Sequence, residues 1–173
     1  MGLTQYYTAT TLDGFIAGPG ESLEWLFTRA READGPLAYE AFIAEVGAIA
    51  MGVTTYEWIL EHSESWPYEQ PSWVFTHRQL ERRGDVEFVS GEVGPVHEAM
   101  EQAAGSKHRW IGGGGDLAGQ FAAAGLLDEV LVTIAPVTLG AGAPLLPHHV
   151  ELRLEELGRN GDFAAVRYSV VPS

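Results

Sequence analysis

Apolar residues recur along this chain at two spacings, and the spacings alternate from segment to segment. Short β-rich runs predict strands at Thr4–Thr10, Ala48–Met51, Trp73–Thr76, Val86–Val89, Arg109–Ile111 and Glu129–Ala135. Between them lie segments with apolar positions three or four apart. Leu23–Arg31 reads as a helix with Ser22 as its N-cap. A second helix opens at Asp34-Gly-Pro, carries Leu37, Phe42 and Val46 along one face, and closes at Gly47. Tyr56–Leu60 reads as a short helix capped by Thr54 or Thr55, and polar, proline-containing Glu61–Pro71 as a surface loop. Gly94–Ala104 and Asp116–Ala124 are the last helices, the latter stopped by Gly125. Strands alternating with helices imply a mainly parallel sheet covered on both faces. Leu152–Leu157 and Ala164–Val171 alternate about Asn160-Gly161, so they form an antiparallel hairpin at the sheet edge. The expected architecture is one α/β domain spanning residues 1–173.

Composition narrows the function classes. The chain has 173 residues, 46% hydrophobic and 20% charged, enough to bury a core without disulfides or a structural metal. Asp and Glu number 24 against 10 Lys and Arg, a formal net charge of −14. Such a surface repels nucleic-acid phosphates and anionic membranes. Cysteine is absent, which removes disulfides, thiolate metal sites and a cysteine nucleophile. The N-terminus lacks the basic and apolar regions of a signal peptide, and no run approaches the roughly 20 apolar residues of a membrane span, so a cytoplasmic protein is expected.

Chemistry concentrates at strand-to-helix junctions. Ile111-Gly-Gly-Gly-Gly-Asp116 joins a strand end to a helix start, where backbone N–H groups attract phosphate and glycines admit a ligand closely. The run is neither GxGxxG nor a Walker A loop. A tight turn needs only one glycine, so four favour a ligand site, with Asp116 open to reading as a helix cap. Gly52, Thr54 and Thr55 form a second such turn, equally readable as an ordinary threonine cap. Thr76, His77 and Arg78 end the next strand, where Arg78 is an anion clamp or a solvated strand end. Asp13 beside Gly14 is a proton-transfer candidate or an Asx-turn residue. Asp34 and Glu40 are further candidate acids, while His62, His148 and His149 lack metal-ligand company, so no metal is expected.

These signals occur in a recognisable order. Thr11-Leu-Asp-Gly-Phe-Ile-Ala-Gly-Pro19 precedes Met51-Gly-Val-Thr-Thr-Tyr-Glu57, then Phe75-Thr-His-Arg78, Trp110-Ile-Gly-Gly-Gly-Gly115 and Gly125-Leu-Leu-Asp-Glu129 with Ala135-Pro-Val-Thr-Leu-Gly140. From about Thr4 to Tyr168 the chain resembles the dihydrofolate-reductase-like superfamily, in particular the reductase domain of the bifunctional riboflavin-biosynthesis deaminase/reductase and its free-standing relatives. The resemblance implies a three-layer α/β fold, a mixed, mostly parallel sheet with helices on both faces and an antiparallel C-terminal edge. It implies hydride transfer from NADPH, with NADH as the alternative, to a C=N bond or aldimine of a pterin- or pyrimidine-like heterocycle. Carried over by position, the cofactor meets Ala9, Ile16 and Ala17, then Gly52, Thr54 and Thr55, then Thr76, His77 and Arg78, then Ile111 and Gly113 to Leu117. Asp13 is the catalytic candidate. Val53 stands where the family often has the arginine that holds the 2′-phosphate, and Arg78 with His77 is its replacement on this reading. Glu40 lies one turn from the acid of dihydrofolate reductases, which disfavours folate as substrate. The apolar run Val130–Leu146 and the habit of relatives point to a homodimer. Two other readings stand beside the reductase: a non-catalytic nucleotide- or ligand-binding protein on the same scaffold, and an unrelated α/β interaction protein.

Overall fold

A computed structural model describes residues 2–173. Its central sheet has eight strands: β1 (Thr4–Thr11), β3 (Val46–Gly52), β4 (Ser72–Phe75), β5 (Val86–Val89), β6 (His108–Ile111), β7 (Glu129–Ala135), β9 (Leu152–Asn160) and β10 (Phe163–Val170). Their order is β5-β4-β3-β6-β1-β7-β10-β9. Strands β5 to β7 in that order pair in parallel, and β10 pairs antiparallel with both β7 and β9. Two short strands, β2 (Phe15–Ala17) and β8 (Ala143–Pro144), pair separately. The mixed α/β sheet with an antiparallel C-terminal edge is the one the sequence predicts.

Helices cover both faces. On one side α4 (Val93–Ala104) and α5 (Gly115–Ala123) bury Met100, Ala118 and Phe121 against Tyr6, Ile111 and Val132 of the sheet. On the other, α2 (Tyr39–Ala44) and α3 (Val53–His62) pack Phe42, Tyr56 and Ile59 on Ile49, Val74 and Trp110. The one-turn helix α1 (Glu24–Phe27) seats Trp25 against Ala135 and Phe163. Strand alternation sends Tyr6 and Tyr7 to opposite faces, and Tyr7 stacks on Phe42 at 3.9 Å between ring centroids.

Four local expectations change. The helix expected over Leu23–Arg31 stops at Phe27, because the tip of the β9–β10 hairpin captures the following backbone. Asp162 accepts from the Ala30 N–H at 2.7 Å, and buried Asn160 accepts from the Glu32 N–H at 2.6 Å while donating to the carbonyl of Pro36. These long-range bonds override a weak helical preference. Leu23, not Ser22, is the N-cap of that short helix. The helix opening at Asp34 begins only at Tyr39, since Leu37 has a φ of 58°, and Val46 belongs to β3, where Gly47 lies against Ala104 so closely that a Cβ would sit 2.8 Å from its Cα. The Glu61–Pro71 loop is not merely surface: Trp66 and Tyr68 turn inward against Tyr56 and Trp110.

Candidate active site

The carboxyl ends of β1, β3, β4 and β6 open into a cavity of about 570 Å³. Its floor is backbone. Gly52 ends β3 and starts α3, while Gly112 to Gly115 join β6 to α5. The two junctions touch, with the Gly52 N–H donating to the Gly113 carbonyl at 2.7 Å. Gly52 and Gly114 are the N-cap residues of α3 and α5, and neither helix has a side-chain cap. Thr54 and Thr55, one reading of which was a threonine cap, lie inside α3, and Asp116 lies in the first turn of α5 rather than capping it. The first N–H groups of two helices therefore face one cavity, each helix end carrying a partial positive charge of about half a unit.

The glycines divide by what they need. Gly115 is forced: a Cβ there would lie 2.3 Å from the Leu145 carbonyl oxygen. Gly113 has a φ of 133°, and its peptide bond to Gly114 is cis. Gly52, Gly112 and Gly114 are different. Their φ values lie outside the positive region, and a Cβ on any of them would make only ordinary contacts, at 3.7 Å or more. The fold itself does not require glycine at these three places. A ligand lying directly on the backbone would require it.

A roof closes the other side. The chain from Thr11 to Gly18 is stitched to the chain from Val137 to Leu145 by the β2–β8 pair, by Leu12 N–H to the Val137 carbonyl, and by Leu145 N–H to the Gly14 carbonyl. Asp13 belongs to this stitching. Its carboxylate accepts from the Thr11 hydroxyl at 2.6 Å, from the Gly140 N–H at 2.7 Å and from the Leu139 N–H. The Thr11 hydroxyl first, then the two amides, holds its pKa below the ordinary 3.8. Asp13 is not among the residues lining the cavity, so the structure gives the expected proton-transfer residue a roof-tying role instead. Tyr6 anchors the roof to the sheet through its hydroxyl, which donates to the Leu145 carbonyl at 2.7 Å.

Of the other expected site residues, Ala9, Ile16, Ala17, Gly52, Thr54, Thr55, Gly113, Gly114, Gly115, Asp116 and Leu117 line the cavity together. Four do not. Ile111 is fully buried in the core, because strand alternation points it under α5. Thr76 takes up the Arg78 N–H at 3.0 Å, His77 is exposed, and Arg78 pairs with Glu57 at 2.7 Å. Asp116 accepts from Gln120 at 2.9 Å and lies 2.9 Å from His148 Nε2, and these bonds, His148 first, lower its pKa.

Other walls were not foreseen. Leu23 and Leu26 from the α1 region, Trp58 from α3 and Phe75 from β4 supply the apolar side, and Thr8, Glu21 and Gln120 the polar groups. The sequence signal for Trp58 was available, since it lies one helical turn past Thr54 on the same face. Nothing local marked Ala143, Pro144 or Pro147, which arrive with the roof. Beside the cavity runs an open groove of about 730 Å³ that shares Glu21, Leu23, Thr54 and Trp58 with it. Exposed Phe27 stacks on Trp58, and Trp58 on His62 at 4.0 Å.

Comparisons with known proteins agree with this geometry. The family model of the RibD C-terminal domain matches residues 4–160. The chain is 31% identical over 170 residues to the uncharacterized protein YwjB of Bacillus subtilis (strain 168), covering 95% of this chain and 96% of that one. A solved structure described as a candidate riboflavin biosynthesis protein from Shewanella sp. PV-4 superposes with a TM-score of 0.83 at 24% identity, over 98% of this chain and 99% of that one. Dihydrofolate reductase from Enterococcus faecalis, complexed with NADP(H) and RAB-propyl, shares the fold at a TM-score of 0.61 and 15% identity, over 97% and 96% of the two chains.

Proposed function

The chain belongs to the RibD C-terminal domain family, and from that premise we propose that it is an NAD(P)H-dependent reductase acting on the C=N bond or aldimine of a flat, pterin- or pyrimidine-like heterocycle. The observation that carries this reading is the unforced glycine floor at Gly52, Gly112 and Gly114 between two uncapped helix ends. The free N–H groups in the first turns of α3 and α5 would hold a pyrophosphate lying over these glycines, and Ala9, Ile16 and Ala17 would flank the nicotinamide. When bound, the dinucleotide supplies the hydride, and the protein supplies position and a dry surrounding.

The chain's own residues divide the remaining work. Leu23, Leu26, Trp58 and Phe75 exclude water and offer flat apolar surface to a ring. Reduction of a C=N bond also consumes a proton at nitrogen. Asp116 is engaged by Gln120 and His148, whereas Glu21 lines both cavity and groove and its carboxylate has no side-chain partner among the described residues. Glu21 is therefore the group assigned to proton handling in place of Asp13. Because it lies at the open junction, a non-catalytic binding protein is the second reading. Turnover of reduced dinucleotide with a heterocycle panel separates the two.

Calorimetric titration of wild type and Gly52→Ala with NADH and NADPH tests the main reading. The added methyl fits the fold, its nearest contact being 3.7 Å, but occupies the floor. The expected result is an unchanged melting temperature with at least a tenfold loss of dinucleotide affinity. Equal affinities in the two proteins would remove the observation on which the reading stands.

A further inference from the structure

The ligand that suits this site is constrained by charge. Five acidic residues line the cavity and the adjoining groove: Glu21 and Asp116 in the first, Glu21, Glu24, Glu57 and Glu61 in the second. Among the described residues, no lysine or arginine lines either. Within the lining, the two helix ends supply positive potential and the pyrophosphate of a dinucleotide accounts for both, while the groove adds the imidazole of His62. The guanidinium attached to this wall is that of Arg78, and it is already committed: its Nη2 lies 2.7 Å from Glu57 Oε1, with both side chains about half exposed. An exposed pair of this kind is weak, so Arg78 is free to move. Moving it brings no net gain, because Glu57 stays on α3 one turn from the helix start. A phosphate monoester, carrying about −1.5 to −2 charges at neutral pH, would meet one positive and one negative side chain together.

We infer, resting on the reductase reading above, that this site selects the dinucleotide without a 2′-phosphate, NADH over NADPH, and that Glu57 is the specificity-determining residue. The role of Glu57 follows for a dinucleotide whose nicotinamide lies beside Ala9, Ile16 and Ala17, as in the reading above, with its adenosine ribose toward the Glu57–Arg78 pair. Glu57 touches neither the hydride nor the floor. It acts by cancelling Arg78.

The test is calorimetry on the full chain with NADH and NADPH at low ionic strength, using wild type, Glu57→Gln, Arg78→Ala and the double variant. Both residues are exposed, so all four proteins are expected to fold alike. Wild type should bind NADH at least tenfold more tightly, and added salt should shrink the difference by screening the repulsion. Glu57→Gln should raise NADPH affinity severalfold while leaving NADH unchanged. Arg78→Ala alone should weaken NADPH binding severalfold by uncovering Glu57, with NADH unchanged, and the double variant should return to the wild-type ratio. Equal or tighter binding of NADPH by wild type would overturn the inference, as would a loss of NADPH binding in Arg78→Ala that persists in the double variant. A preference for NADH that Glu57→Gln does not move would overturn the role of Glu57. Failure of folded wild type to bind either dinucleotide would instead bring down the reductase reading itself.

Discussion

Gly115 offers the sharpest test of how the roof is held. In an ordinary helix, replacing glycine by alanine stabilises by up to about 1 kcal/mol. At Gly115 the new Cβ would lie 2.3 Å from the Leu145 carbonyl oxygen and 2.5 Å from that of Pro144. Both obstacles are backbone, so no side-chain rotation relieves them. Ordinary contact begins at 3.4 Å, and the strap across α5 must withdraw by about 1 Å. That movement breaks the 2.7 Å bond from the Tyr6 hydroxyl to Leu145 and loosens the 2.8 Å bond from the Leu145 N–H to Gly14. Two hydrogen bonds are worth about 0.5–1.5 kcal/mol each, and overpacking costs about 1–3 kcal/mol, part of which the withdrawal relieves. Set against the propensity gain, the net loss is about 2–3 kcal/mol. For a chain of this length that lowers the melting temperature by roughly 5–10 °C. Gly94→Ala is the control: it lies in α4 with nothing within 4 Å of its Cβ, and should raise the melting temperature slightly. Differential scanning calorimetry of the two variants, with NADH titrations alongside, reads both effects. Gly115→Ala should also bind the dinucleotide more weakly, because the roof is displaced. A melting temperature for Gly115→Ala at or above that of wild type would refute the packing of the strap on α5.

Asp13 predicts a pH signature. Its pKa is depressed in the fold, so its ionised form stabilises the native state above the unfolded value of about 3.9, and that stability disappears as pH falls through the depressed value. Asp13→Ala should therefore be less stable than wild type at neutral pH, and the difference should shrink as the pH falls through the depressed value; a difference that persists unchanged in acid would show that the carboxylate is not the tie. The sheet edge predicts a homodimer. Leu152, Leu154 and Leu157 of β9 are 37%, 56% and 70% exposed and pair with Val170, Tyr168 and Val166, continuing the apolar face that α5 covers further in. Light scattering at micromolar concentration should give twice the chain mass, and Leu154→Arg with Leu157→Arg should halve it; a wild-type monomer would refute this.

How far the sequence discloses the molecule depends on the range of the interactions involved. Strands and the helices α4 and α5 were legible because their signals are local: the β-rich run Glu129–Ala135, and a three-to-four spacing through Val96 and Met100. Glycine marked both junctions for the same reason, since a missing side chain is visible without knowing what approaches it. The first helix failed because Asn160 and Asp162, more than 125 positions away, claim the backbone of Glu32 and Ala30. Asp13 shows the same limit at the site. A carboxylate beside a glycine reads alike whether it faces a cavity or ties a loop, and what decides is the position of the Leu139 and Gly140 N–H groups, which arrive from across the roof. Arg78 completes the argument. Alone in sequence it is a cation at a strand end, suited to a phosphate. Beside Glu57 it is half of a neutral pair, and the acidic balance of the whole chain, −14, extends into the site rather than stopping at its rim. Charge at a binding site is a sum over neighbours, and the neighbours are set by the fold.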